Sequence, residues 1–303
     1  MRFKHLQKRW RFVSVLVLTS LLWISLPFVC LAQRSADENL RSRTMERLDA
    51  AEAAKMVQLF RAQRPEENFC FQFQLEHKPR RGRTVRYEGI LFGSRNRFGP
   101  VSRVKLFREK IGEGSPVGLS PIEIIVQNGL VPRVWVRRKA VDDFVLIKDS
   151  TLFEPIFEGV LYTPFDLQMP FIFWNDYVYE GPSRVLSRIG QNFRMLPPEG
   201  SLAESNDVTA VRIAIDDTYY ALLRAEVLEA KNKVRSRFTV RGIRKVQGHY
   251  IVKEVELKNM TTKDATSFKV KAARVGLPLD SAMFNPEAGL ELPEVLAKSF
   301  EVL

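Results

Sequence analysis

The chain has 303 residues, of which 45% are hydrophobic and 27% are charged. These values are ordinary for a globular protein and allow one large domain or two small ones with a sizeable core. The formal net charge is +12, which suits anionic lipid or nucleic acid without choosing between them.

The first 32 residues have the layout of a secretory signal peptide. Five basic and no acidic residues are followed by a mostly apolar run, which Pro27 breaks, and Cys30 and Ala32 then stand at positions −3 and −1 of a cleavage site. We predict cleavage after Ala32 and export of a mature chain of residues 33–303. Its 42 basic and 35 acidic residues leave a net charge of only +7.

Two alternatives remain open at this terminus. Cys30 could carry a lipid, although Phe28 and Val29 before it are larger than lipoprotein signals favour. Residues 12–32 could also stay as an uncleaved membrane anchor, because 21 residues just span a bilayer core of about 30 Å. Cleavage would leave Cys70 as the single cysteine, so no internal disulfide is predicted.

Residues 35–63 are predicted to form a helix. Ser35 is a suitable N-cap, and acidic residues follow it in the first turn. The apolar residues beyond it are spaced for one loosely apolar face.

The period then changes from 3.6 to 2, which predicts a strand at residues 68–76. Phe69, Phe71, Phe73 and Leu75 share one face of this strand. Cys70 lies on the opposite, more polar face, where we expect it to be half-buried.

A series of short alternating stretches with Gly, Pro and Asn between them predicts an antiparallel, mainly β sheet of ten or eleven strands with a few helices. We expect a single domain over residues 33–303. After the first strand, the predicted strands begin near Thr84, Val101, Pro121, Arg133, Asp143, Asp207, Tyr219, Val234, Tyr250 and Thr266.

The meander at residues 240–270 is predicted to have one dry and one wet face. Gln247-Gly248 makes a two-residue turn, and Ile251, Val255 and Leu257 then point to the same side of the next strand. The dry side needs a cover.

Residues 150–174 lack a period of two and predict one or two short helices. The apolar side chains at the end of this segment can cover the dry face of the sheet. They are Phe165, Leu167, Met169, Phe171, Phe173 and Trp174. Composition alone favours a sealed core, whereas adaptable Met and Phe walls also suit an acyl-chain cavity. A cavity predicts that Phe71→Ala is partly tolerated, and a sealed core predicts a cost of about 3–5 kcal/mol.

The sequence shows no catalytic constellation. Outside the predicted signal peptide the histidines are His77 and His249, both read as solvated turn residues. Neither has the spacing of a metal site or of a catalytic triad, and glycine-rich phosphate loops are absent. We predict no enzyme activity, no metal and no cofactor.

Two basic clusters lie at residues 78–86 and 133–139. In a cytoplasmic protein they would suggest nucleic acid, but export argues against that partner. We interpret them as a solvated face, with attraction to an anionic membrane or an acidic partner as the alternative.

Three features carry a family resemblance. They are the signal peptide followed by one helix and an aromatic strand, the Asp166-Leu167 segment, and the meander that ends in "LPLDSAMF" near Phe284. In these features the chain resembles the LolA-like superfamily of bacterial outer-membrane lipoprotein-sorting proteins.

The resemblance implies a curved antiparallel half-barrel with helices across its concave face and a cavity for acyl chains between them. It further implies a monomeric periplasmic carrier of an acylated lipoprotein or lipid, with an inner-membrane donor and an outer-membrane acceptor. The alternative is an envelope sensor of the same fold that binds lipid and regulates a membrane partner. The predicted cavity residues are Phe69, Phe71, Phe73, Leu75, Tyr87, Leu91, Phe165, Leu167, Met169, Phe171, Phe173 and Trp174.

Overall fold

The computed structural model describes residues 29–30, 45–63, 67–108, 121–139, 141–293 and 299–303. The predicted cleavage site after Ala32 and most of the predicted signal peptide lie outside this part of the chain. The strands are β1 (Val29–Cys30), β2 (Phe69–Lys78), β3 (Val85–Asn96), β4 (Gly99–Arg108), β5 (Ile122–Gln127), β6 (Arg133–Arg137), β7 (Val145–Leu146), β8 (Tyr177–Val185), β9 (Arg188–Met195), β10 (Ala210–Asp216), β11 (Leu222–Leu228), β12 (Val234–Val246), β13 (His249–Asn259), β14 (Ala265–Val275) and β15 (Glu301–Val302).

The helices are short compared with the sheet. The α-helices are α1 (Ala50–Ala62), α2 (Pro164–Gln168) and α3 (Leu202–Ser205), and single 3-10 turns cover Asp149–Thr151, Pro170–Phe173, Ala230–Asn232 and Ser281–Phe284. Among the described residues, no helix has the length and hydropathy to cross a bilayer.

The strands form one antiparallel, unclosed sheet, which confirms the predicted half-barrel class. The strand order is β7-β6-β5-β4-β3-β2-β14-β13-β12-β11-β10-β9-β8, while β1 pairs with β13 and β15 pairs with β14. Strand β2, from early in the chain, therefore lies beside strand β14, from near its end, at the centre of the sheet. Irregular register within β8, β12 and β14 marks β-bulges, which bend and twist a sheet locally.

The meander has the predicted hairpin turn. Val246 pairs with His249, so Gln247 and Gly248 form a two-residue turn with φ of 48° and 92°. Positive φ at both positions is the requirement of the tight hairpin turn that matches strand twist.

Helix α1 begins later than the sequence predicts. Asp49 is its N-cap: the Asp49 carboxylate accepts from Glu52 N at 2.8 Å, and the Glu52 carboxylate accepts from Asp49 N at 2.9 Å. Residues 45–49 are not helical, so the prediction of a helix over these five residues is wrong. The predicted start, Ser35, lies outside the described residues. The reciprocal cap satisfies two of the free N–H groups at the helix start, and the helix ends at Gln63 as predicted.

Strands β8 and β9 were missed from the sequence. Pro182 and Gly181 interrupt the alternating pattern of β8, and the register shifts between Tyr179 and Gly181. Proline is tolerated because β8 is an edge strand of the sheet, where a missing N–H breaks no ladder hydrogen bond.

The sheet has an inner face, which α1 and residues 147–174 cover, and an outer face on the opposite side. The predicted wet outer face is wrong near β2 and β5. There, Cys70 is fully buried rather than half-buried, in a small second core with Phe92, Ile125 and Phe284. Burial raises the pKa of the Cys70 thiol, so it is neutral.

Arg103 on β4 links the sheet to the C-terminal segment that covers this outer core. Its side chain is fully buried. The guanidinium of Arg103 donates to the carboxylate of Glu123 at 2.6 Å and to the carbonyl oxygens of Met283 and Leu290 at 2.8 and 2.7 Å. Arg137 donates to the same carboxylate at 2.8 Å. The described residues of the tail after Asn285, such as Leu290 and Leu292, therefore pack against the outer face of the sheet.

Candidate functional site

The structure brings all twelve predicted site residues to one place, the interface between the inner face of the sheet and its cover. We use "the cover" for residues 147–174. Ten of the twelve are buried in the main core, and Leu167 and Phe173 pack against it half-exposed. On β2, Phe69, Phe71 and Phe73 all point inward, as the alternation predicted.

Aromatic stacking fills much of this interface. The rings of Phe69 and Phe71 stack with centroids 4.8 Å apart, and Phe165 stacks on Phe153 at 4.6 Å. Phe171 meets Trp174 edge-on at 6.4 Å. Such ring pairs add to the free energy gained by burial. The part of the interface that these six aromatic residues form, which we call the aromatic half, is therefore tightly packed.

A cavity of about 70 Å³ remains between the sheet and the cover. Its lining is apolar except for Ser102 and the phenol of Tyr162. The lining residues are Phe73, Leu75, Leu91, Ser102, Val104, Leu106, Ile124, Val126, Ile156, Phe157, Tyr162, Leu167 and Phe268.

The cavity coincides only in part with the residues expected from the sequence. Phe73, Leu75, Leu91 and Leu167 line it, whereas the other eight predicted residues pack around it. Sequence analysis missed the contributions of β4, β5, β14 and residues 156–162. The signal for β4 and β5 was present, because Val104, Leu106, Ile124 and Val126 alternate with charged or outer-core residues.

Few hydrogen bonds attach the cover to the sheet. The Tyr87 hydroxyl donates to the carbonyl of Glu158 at 2.8 Å, and the Leu161 N–H donates to Thr266 Oγ1 at 3.0 Å. The Asn128 side chain donates to the carbonyl oxygens of Leu167 and Gln168, both at 3.0 Å. The Ile147 N–H donates to the carbonyl of Val134 at 2.8 Å, and the Arg138 guanidinium donates to that of Ile156 at 3.3 Å. Most other contacts between the cover and the sheet are apolar and need no fixed geometry.

Helix α1 fixes the far end of the cover. The guanidinium of Arg61, in the last turn of α1, donates to the carbonyl of Ile172 at 2.7 Å and also to that of Trp174. Burial lowers the pKa of Arg61, but a guanidinium stays charged. The carbonyls of Ile172 and Trp174, which no regular ladder satisfies, are thus paired with one half-buried guanidinium.

The sequence of the cover explains its local shape. Thr163 caps α2: its hydroxyl accepts from Asp166 N at 3.2 Å, and the Asp166 carboxylate accepts from Thr163 N at 3.0 Å. Pro164 occupies the first turn, and Met169 ends the helix in the left-handed region with φ of 46°. Asp166, which opens the Asp166-Leu167 segment of the family resemblance, is thus a helix-capping residue.

Other candidate chemical groups lie apart from the cavity lining. His77 and His249 are half-buried in β2 and β13 rather than solvated in turns, and burial lowers the pKa of His77. Among the described residues, no three His, Cys, Asp or Glu side chains are placed to hold a metal ion. The expected absence of a metal and of catalysis stays a prediction.

Comparisons with known proteins agree with this architecture. A family model described only as "uncharacterized protein" matches residues 202–288. No curated protein matches the sequence significantly.

Solved structures with the same fold have low sequence identity. A putative outer membrane lipoprotein-sorting protein domain from Vibrio parahaemolyticus superposes with a TM-score of 0.64 at 13% identity, over 80% of this chain and 99% of that one. A DUF1329 family protein from Desulfovibrio piger gives 0.61 at 14%, over 77% and 94%. A LolA superfamily protein from Nitrosomonas europaea gives 0.52 at 10%, over 77% and 97%.

The sheet, its cover and these likenesses define the class of fold. The chain has the LolA-like fold, as the sequence resemblance predicted. Identities of 10–14% establish the fold alone, and function has to be argued from the site.

Proposed function

We propose that the protein is a non-catalytic carrier of the cell envelope that holds the acyl chain of a lipid or lipoprotein between the inner face and the cover. The observation that carries this proposal is the apolar cavity beneath a cover that Asn128, Tyr87, Thr266 and Arg61 tie down through a few hydrogen bonds. The LolA-like fold supports it.

Binding requires the cover to move. Ligand pockets usually enclose about 300–1,000 Å³, and the cavity holds about 70 Å³. Each acyl methylene that leaves water gains about 0.8 kcal/mol, so a chain of about 16 carbons gains on the order of 10 kcal/mol before ordering costs. That gain favours a state in which the ligand replaces part of the contact between the cover and the sheet.

We further propose that residues 1–32 direct export and are removed, so that the carrier acts in the periplasm. It would receive its ligand from an inner-membrane donor and release it to an outer-membrane acceptor. Closure of the cover after release restores the packing that the ligand displaced, which recovers part of the free energy that release costs.

The proposal is tested by native mass spectrometry of protein purified from cells and by displacement of an apolar fluorescent probe with an acylated lipopeptide. Val126→Phe should fill the cavity and weaken probe binding in a folded protein, because Val126 lines it. Val178→Phe is the matched control, since Val178 is 51% exposed. Absence of copurified lipid together with absence of probe binding would overturn the proposal.

A further inference from the structure

The hydroxyl of Tyr162 is an anomaly in the cavity wall. Tyr162 is 4% exposed and lines the cavity, yet its hydroxyl is buried and has no hydrogen-bond partner among the residues that the structure describes. Buried polar groups are paired in the great majority of proteins, and an unpaired one costs free energy.

Tyr87 provides a direct comparison within the same interface. It is also buried, but its hydroxyl donates to the carbonyl of Glu158 at 2.8 Å. For packing alone, phenylalanine would serve at either position, so each hydroxyl calls for its own explanation. The hydroxyl of Tyr87 links the sheet to the cover. The hydroxyl of Tyr162 makes no such link within the described residues.

The surroundings determine which group could pair with Tyr162. Burial raises the pKa of the Tyr162 phenol and the negative charge of Asp166 raises it further, so the hydroxyl stays neutral and offers a proton. A carboxylate ligand would lose its hydration between the apolar walls, which is costly for a charged group. A neutral carbonyl oxygen accepts the hydrogen bond at a much smaller desolvation cost.

The backbone around Tyr162 belongs to the cover. The Tyr162 carbonyl accepts from Ile156 N at 2.9 Å, and the next residue, Thr163, caps α2. On the proposed function, Tyr162 therefore lies in the segment that separates from the sheet when a ligand binds.

We propose that Tyr162 donates a hydrogen bond to the ester or amide carbonyl of the bound acyl chain, and so selects linked acyl chains over hydrocarbons and free fatty acids. This inference rests on the proposed function, because it assigns the ligand class of the same cavity. An ester is the linkage of glycerolipid chains, and an amide is the linkage of an N-acylated peptide terminus.

The test compares Tyr162→Phe with Tyr87→Phe in the full mature chain. Four ligands with equal chains compete with the apolar probe: methyl palmitate, N-methyl palmitamide, palmitate and hexadecane. The wild-type protein should prefer the ester and the amide. Tyr162→Phe should weaken those two by about twofold to tenfold, the value of one net hydrogen bond, and leave hexadecane unchanged. An amide carbonyl is the stronger acceptor, so a larger loss in the ester arm than in the amide arm would point to a glycerolipid as the source.

Stability of the unliganded protein gives an independent readout. Tyr162→Phe removes an unpaired hydroxyl, so its urea midpoint should be unchanged or higher. Tyr87→Phe removes a hydrogen bond, so its midpoint should fall while the preference for ester and amide is kept.

The inference is overturned if Tyr162→Phe leaves ester and amide binding as in the wild type, or weakens hexadecane equally. It is also overturned if Tyr162→Phe destabilises the free protein as much as Tyr87→Phe does. Probe binding with no preference sinks the role of Tyr162 and leaves the carrier proposal intact, whereas no binding of any acyl ligand sinks both.

Discussion

The ring of Phe73 lies directly over Gly89, the residue opposite it on strand β3. A Cβ atom on Gly89 would overlap the tip of that ring, and Phe69 covers Gly93 in the same way. The glycines of β3 thus make room for the bulky aromatic side of β2, an arrangement known to pin strand register.

We therefore expect Gly89→Ala and Gly93→Ala to destabilise the fold by about 1–3 kcal/mol, the usual cost of overpacking a core. Gly242→Ala is the matched control, because the nearest atom to a Cβ there is 3.7 Å away, and it should change stability by less than about 1 kcal/mol. Urea unfolding of the three variants measures the difference. Equal effects at Gly93 and Gly242 would contradict the packing argument.

The pH dependence of stability should report on Glu123. Burial acts to raise the pKa of this carboxyl, but hydrogen bonds from Arg103 and Arg137 outweigh it and hold the pKa below its usual value. A lowered folded pKa stabilises the protein above the unfolded value of about 4.3, and that stability is lost as pH falls through the folded pKa.

Acid titration of the free energy of unfolding checks this dependence. Glu123→Gln should reduce the acid slope without abolishing it, because Glu76 and Glu180 also have lowered pKa values. It should cost about 3–5 kcal/mol at neutral pH, because Arg103 is left buried without its charge partner. Glu154→Gln, at an exposed position, should leave both unchanged. An acid slope in Glu123→Gln equal to that of the wild type would assign the titration to the other carboxyls.

Asn128 should control how readily the cover opens. Its buried side chain donates to two carbonyl oxygens at the end of α2, so Asn128→Ala leaves both without a donor. We expect faster hydrogen–deuterium exchange over residues 161–174. The control is Asn206→Ala, whose amide bonds only the exposed carbonyl of Leu202. Unchanged exchange in Asn128→Ala would show that apolar packing alone holds the cover.

The fold was predictable where one side of a strand is buried and the other is wet. In β13, Ile251 and Leu257 are buried while Glu254 and Glu256 are half-exposed, so alternation reports the faces directly. Pairing of β2 with β14 was not predictable, because contacts between residues about 200 apart leave no local pattern. The edge strand β8 was missed for the opposite reason. Pro182 argues locally against a strand, but an edge strand tolerates proline.

The candidate site was predictable only as a collection of apolar residues. Phe71 and Phe165 were expected to line the site, but they pack away from the cavity. The cavity is bounded by aromatic residues that were not expected, such as Phe157, and by smaller ones such as Val104 and Val126. A gap in packing depends on volumes that meet from distant segments, which alternation does not describe. The unpaired hydroxyl of Tyr162 likewise emerges only when its neighbours are known.

The choice between a sealed core and a cavity can be tested at Phe71. It is fully buried, stacks on Phe69 and does not line the cavity. We therefore expect Phe71→Ala to cost about 3–5 kcal/mol, although the cavity hypothesis from sequence predicted partial tolerance.

Leu106→Ala enlarges the cavity itself and should strengthen probe binding. Its stability cost of about 2–5 kcal/mol grows with the void that remains. Urea unfolding and probe titration of both variants separate the two regions. A loss below about 1 kcal/mol in Phe71→Ala would mean that the aromatic half of the interface is itself loosely packed, and the acyl chain would then be sought against β2 rather than against β4 and β5.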